Sequence, residues 1–337
     1  MKNIISIGKI LFVICFFTIN VSAQSQVSEI SSMPGAFSRI GFGARGMGMG
    51  NAMSAVTSGN LVSYYNPALI PFQQGNSFQT SYTILSLDRS LNFISFTRKF
   101  NIGKKENPDG TVSPRSVTGI SAGIINSGVS KIDARDNEGK KTGDLSTSEN
   151  QFFIALATRF SEKLSIGLSF KFYHYSLYED ISASSIGFDV GALYMISPSL
   201  TLSLMISDIN SKYQWDTAEL YGTSGAVTKS KFPLLKKIGL SYKFDEPKLI
   251  AALEFESSNA GTNFLRGGAE YNIYQDLFLR AGFDKLNLSN KDFPIRPSFG
   301  FSYFYLLNTV KFGIDYAFVI EPYSSSDQHI IGININF

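Results

Sequence analysis

The chain has 337 residues, with 30 Lys and Arg against 27 Asp and Glu, 29 Phe, 16 Tyr, one Trp, two His and one Cys. Near-neutral charge gives no support for a nucleic-acid partner. The single cysteine, Cys15, lies in the first apolar run, so beyond it disulfides, thiol catalysis and thiolate metal sites are excluded.

Residues 1–23 open with Lys2 and Lys9, continue through an apolar run from Ile10 to Ile19, and finish Val-Ser-Ala. This is the layout of a secretory signal peptide cleaved after Ala23. The run is too short for a membrane-spanning helix, and no lipoprotein box precedes Cys15. Removing Lys2 and Lys9 leaves 28 basic residues against 27 acidic. After the signal, no apolar stretch reaches the roughly 18 residues a spanning helix needs.

Residues 24–75 do not alternate. They contain GFGARGMGMGNAMSAV and LVSYYNPALIP. Gly41 to Gly46 match G-x-G-x-x-G literally, but without the strand–helix–strand context that a nucleotide fingerprint needs. The glycines are better read as allowing close packing against a wall. Asn66 can cap a short helical turn that begins at Pro67.

From residue 76 onward, alternation dominates. Fourteen period-2 runs lie near 76–87, 90–101, 117–127, 150–160, 163–175, 183–197, 199–208, 235–244, 247–257, 263–274, 276–285, 296–307, 308–320 and 327–337. Most have ten to thirteen residues. Strands of soluble proteins average about five or six, whereas a tilted transmembrane strand needs about nine to eleven. Tight turns at 161–163, 197–199, 245–247, 274–276 and 307–308 alternate with longer connections at 128–149, 209–234, 286–295 and 321–326, the outer-membrane pattern. The connection at 101–116 is long but falls on the short-turn side.

The polar faces of these runs carry Lys171, Asp189, Glu254, Glu256, Arg266, Glu270, Arg280, Asp284, Lys311 and Asp315. Facing lipid, a basic group at the midplane would cost about 2–4 kcal/mol, so these side chains belong inside. Their mixed sign favours a structural salt-bridge lattice over a charge-selective path. The final run places Ile331, Ile333, Ile335 and Phe337 on one face, as the closing strand of a barrel whose edge cannot stay open in lipid.

The expectation is an all-β protein: a transmembrane antiparallel β-barrel of about fourteen strands over 76–337, with an N-terminal hatch or plug over 24–75. It is integral to the outer membrane of a Gram-negative envelope after Sec-type export.

The stretch from Gly41 to Phe72 resembles the N-terminal signature of the PorV/PorQ family of outer-membrane proteins. The matching positions are Gly43, Ala44, Arg45, Met47, Gly48, Asn66, Pro67 and Ala68. Ala-Leu-Ile-Pro departs from the Ala-Gly-Leu that the family commonly has after Asn-Pro. The family is similar in fold to FadL-type fatty acid transporters. The resemblance implies a non-enzymatic role in type IX secretion, binding C-terminal domains of exported cargo or working with secretion components. The candidate partner loop is 209–234, with Tyr213, Trp215 and Tyr221; an aromatic girdle or a loop folded over the barrel mouth is the alternative reading. The competing function is FadL-like transport of a hydrophobic ligand, with Met33, Met47, Met49 and Met53 as possible pocket residues. Catalysis and metal binding find little support: His174 and His329 are isolated, and neither a nucleophile elbow nor ligand spacing accompanies them. No cofactor is called for.

Overall fold

The computed structural model describes residues 29–106, 110–178, 181–290 and 293–337. The signal-peptide reading of 1–23 and the first hatch residues, 24–28, lie outside them.

The barrel strands are β1 (Asn76–Ile84), β2 (Ser90–Ile102), β5 (Ser116–Arg135), β6 (Lys141–Arg159), β7 (Leu164–Tyr178), β8 (Ile181–Met195) and β9 (Leu200–Ile209), followed by β12 (Leu235–Phe244), β13 (Leu249–Ser258), β14 (Asn263–Tyr274), β15 (Leu277–Asn287), β16 (Arg296–Leu307), β17 (Val310–Val319) and β18 (Gln328–Asn336). Two small hairpins, β3–β4 (Lys105–Glu106, Val112–Ser113) and β10–β11 (Lys212–Asp216, Val227–Lys231), stand apart. The fourteen strands form one closed antiparallel barrel, each pairing with its sequence neighbours, and β18 returns to pair with β1. Phe78 faces Ile335 and Tyr82 faces Ile331 across that seam.

Alternation explains the wall. Ile154, Leu156, Leu168, Leu253 and Ile314 point outward and remain more than half exposed, while their chain neighbours Ala155, Ser169, Glu254 and Asp315 are buried inside. An apolar outer belt on a closed barrel satisfies every backbone group without water, which is the membrane-spanning solution. No helix among the described residues is long and apolar enough to cross a membrane. The protein is an integral outer-membrane β-barrel.

Three expectations need correction. Residues 128–149 are no loop: β5 and β6 run on as a hairpin beyond the belt, giving strands of 20 and 19 residues. There both faces meet solvent, so the sequence need not alternate apolar and polar. Residues 209–234 hold the β10–β11 hairpin and a short helix, Ala218–Tyr221. Lys311 has the inward parity of its strand, but at the turn-side rim. There it is 38% exposed and pairs with Asp276 at 2.6 Å. The connection 101–116 carries the β3–β4 hairpin on the turn side.

Candidate functional site

The lumen is occupied by the hatch. Residues 29–75 begin beside Ile30 at the loop-side mouth and end at Asn76, whose amide donates to the Phe337 carbonyl at 2.8 Å. The middle is a short helix, Gly43–Gly48. Phe42, Met47, Met49, Met53, Leu61 and Tyr65 are almost wholly buried around it. Gly46 is required here, since a Cβ would lie 2.1 Å from the Tyr65 hydroxyl. That hydroxyl accepts from the Phe42 amide at 3.0 Å and donates to Asn51 Oδ1 at 2.7 Å, tying the two halves of the hatch together.

Further along, Asn66 Oδ1 accepts from the Ala68 amide at 2.9 Å and starts the 3-10 turn Pro67–Phe72. Ala68 is fully buried. The turn touches β2 and β5–β8, whereas the Gly43–Gly48 helix touches β15–β18 and β1, so the two pieces of the hatch rest on two arcs of the wall that meet at the β1–β2 pair. Facing glycine pairs seat it on each arc. Gly167 sits opposite Gly191 under the Asn66–Pro67 corner, and Gly268 opposite Gly282 under Met49 and Gly50.

An ion pair binds hatch to wall, and a lattice of others runs within the wall. Arg45 Nη2 lies 2.7 Å from Glu270 Oε1, its Nε donates to Oε2 at 2.8 Å, and its Nη1 donates to the Asn60 carbonyl at 2.7 Å. Arg280 Nε donates to the same Glu270 at 2.6 Å and its Nη1 to Ser302 Oγ at 2.5 Å. Ser302 donates in turn to Asp315, which also accepts from Asn334 Nδ2 at 2.5 Å. Higher in the wall, Arg266 bridges Glu254, Glu256 and Asp284 at 3.2, 2.9 and 2.6 Å. On the other arc Lys171 sits between Asp189 at 2.7 Å and Asp208 at 3.2 Å.

Nine of the ten charges singled out in the sequence are thus buried inside, all but Lys311. Sequence reasoning missed Lys237, Asp208 and Arg296. Lys237, 3.3 Å from Glu256, has the right parity and was readable. Asp208 was not. It has φ of 62° beside a register shift in the β8–β9 ladder, so Ser207 and Asp208 are both buried in succession.

Above the hatch, at the loop side, opens a cavity of about 1050 Å³. Phe37, Ile40, Leu85 and Phe264 give it apolar surface, while Arg39, Lys285, Arg296 and Glu149 give it charge. Arg39 spends its guanidinium on carbonyls: Pro34 at 2.6 Å, Ile30 and Met33 at 3.3 Å. Burial pulls its pKa below the ordinary arginine value, and Asp208 and Glu256 oppose that only in part. Among the described residues no carboxylate lies within ion-pair distance of Lys285, and the buried Arg296 Nε lacks a partner. None of Met33, Met47, Met49 and Met53 lines this cavity; the last three fill the hatch.

The β10–β11 hairpin folds inward over the mouth. Tyr213 is fully buried, its ring 5.0 Å from Phe232, 5.6 Å from Trp215 and 5.9 Å from Tyr175. It is therefore a packing residue, as in the alternative reading of a loop folded over the mouth. Tyr221, at the tip, is 64% exposed.

No family model and no curated protein matches the chain. Solved structures do. The Pseudomonas putida toluene transporter TodX is similar over 88% of this chain and 96% of its own, with a TM-score of 0.57 at 15% identity. The CymD monoaromatic hydrocarbon channel gives 0.57 at 15% identity, covering 88% and 98%. A Pseudomonas aeruginosa FadL homologue gives 0.52 at 12% identity, covering 86% and 97%. The chain therefore shares the FadL-like barrel fold.

Proposed function

We propose that this protein is a non-enzymatic outer-membrane channel for hydrophobic small molecules, with the hatch closing the lumen in the state described. The observation that carries the reading is the loop-side cavity. It opens directly above a plugged lumen and is large enough for a drug-sized ligand. The shared fold of toluene and hydrocarbon channels supports it. Lys285, which lines the cavity with Phe264 and has no carboxylate within ion-pair distance among the described residues, favours a ligand with an acidic head on an apolar body; Arg296 is already paired with Glu321 and Asp284.

Uptake into proteoliposomes tests this, comparing an alkyl carboxylate with an alkylbenzene of equal carbon number. The carboxylate should be preferred, and Lys285→Gln should remove the preference while leaving the alkylbenzene unaffected. Failure to bind or pass either compound would overturn the channel reading.

The type IX secretion reading rests on the hatch signature alone. It needs the 209–234 segment to present its aromatics outward, and only Tyr221 does so. Crosslinking from outer membranes with a tag near Tyr221 would revive it if C-terminal domains of secreted proteins were recovered.

A further inference from the structure

The outer surface of the barrel changes character within one step along five adjacent strands. One cross-strand row is wholly apolar: Ile94, Ile124, Phe152, Phe172 and Ile186 on β2, β5, β6, β7 and β8. Two residues further out, roughly 7 Å along each strand, the row reads Asn92, Asn126, Asn150, His174 and Ser184. Asn92 Nδ2 donates to Asn126 Oδ1 at 3.3 Å, Asn126 Nδ2 to Asn150 Oδ1 at 2.8 Å, and His174 Nδ1 meets Ser184 Oγ at 3.1 Å. The next row is Ser90, Gly128, Ser148, Ser176 and Ser182. At one end Tyr82, half exposed, stands opposite Asn92.

We propose that this face binds the neutral, sugar-bearing headgroup of an outer-leaflet glycolipid. An apolar row directly beneath a polar one fits an occupant with both parts in one molecule, which is a lipid and not a folded protein surface. Neither polar row contains Lys, Arg, Asp or Glu. Phosphate is ordinarily met by Arg or Lys, so a phosphorylated head finds no counter-charge here. Amides and hydroxyls present donors and acceptors together, which matches the paired hydroxyls of a sugar. Tyr82 offers an aromatic face on which the C–H side of a sugar ring can pack. Four strand spacings give a width of about 19 Å, room for more than one headgroup. On the next two strands beyond Tyr82, β18 and β17, the same rows instead carry Ile331, Tyr316, His329 and Phe318, closer to the aromatic belt usual at this depth.

The test uses the full chain in nanodiscs containing equal amounts of monoglucosyl diacylglycerol and phosphatidylcholine, with retained lipids measured by mass spectrometry. The glycolipid should be enriched about threefold or more, the factor one net hydrogen bond supplies. Asn126→Leu with Asn150→Leu should bring the ratio to unity, and Phe299→Leu, facing outward on β16 six strands round from β6, should leave the enrichment intact. Heat-modifiable migration confirms that each variant is folded. An unaltered protein that retains both lipids equally overturns the proposal, as does enrichment that survives the double substitution or is lost equally in Phe299→Leu. So does recovery of a protein partner on this face in place of lipid.

Discussion

Glu270 accepts from two arginines at once: Arg45 of the hatch at 2.7 and 2.8 Å, and Arg280 of the wall at 2.6 Å. All three are buried. The relationship is unequal, because Arg45→Met leaves Glu270 paired with Arg280, whereas Glu270→Gln strips both arginines of their charge partner. Breaking a buried pair by removing one member costs about 3–5 kcal/mol. Glu270→Gln is therefore expected to lower the unfolding midpoint more than Arg45→Met, read as the temperature at which the folded form disappears on a gel. An equal or reversed order would sink this account of the latch.

The Asn66–Pro67 corner makes a second prediction. A Cβ on Gly191 would lie 2.0 Å from Asn66 Oδ1, and one on Gly167 would lie 2.5 Å from the Pro67 carbonyl carbon. Gly191→Val should expel the 3-10 turn while β8 keeps its pairing. Protease should then cut near 66–73 in a barrel that still migrates as folded. Asn66→Ala removes only the cap, about 1 kcal/mol, and should leave that segment protected.

Much of this was legible in the sequence, and the failures have physical reasons. Fourteen strands could be read because a wall between lipid and a filled lumen imposes period-2 alternation. The β5–β6 extension could not be read, since beyond the belt Lys131, Asp133 and Lys141 need no apolar neighbours. Parity found Glu270, but nothing local points from it to Arg45. Their meeting depends on how the hatch crosses the lumen, which no strand pattern encodes.

Trp215 is the chain's one tryptophan and packs edge-on against Tyr175 with ring centroids 5.3 Å apart. Its emission should report the inward fold of the hairpin. Tyr213→Ala, which empties a fully buried site, should shift that emission to the red, whereas Tyr221→Ala at the exposed tip should leave it unchanged. A Tyr213→Ala spectrum identical to that of the unaltered protein would count against the folded-in hairpin.

Charge cost depends on place. Lys311 and Asp276 are 38% and 40% exposed, so Lys311→Met should change stability by no more than about 1 kcal/mol. Ile314→Lys, three residues on and facing lipid, should cost about 2–4 kcal/mol if it lies near the midplane. Denaturant titration of the two variants in one lipid checks the contrast.

The hatch touches the wall on both sides of the β1–β2 pair, and every strand it touches follows it in the chain. During synthesis it has nothing to pack against. Its arginine has no Glu270, and its Asn66 corner has no glycine seat. Because the β1–β18 seam encloses it, it must already lie inside when that seam zips shut. Assembly therefore has an order. The segment made before the barrel acts as the mandrel on which the sheet curls, and a barrel that closes early would strand it outside, with Arg45 parted from Glu270 and the glycine seats facing an empty lumen.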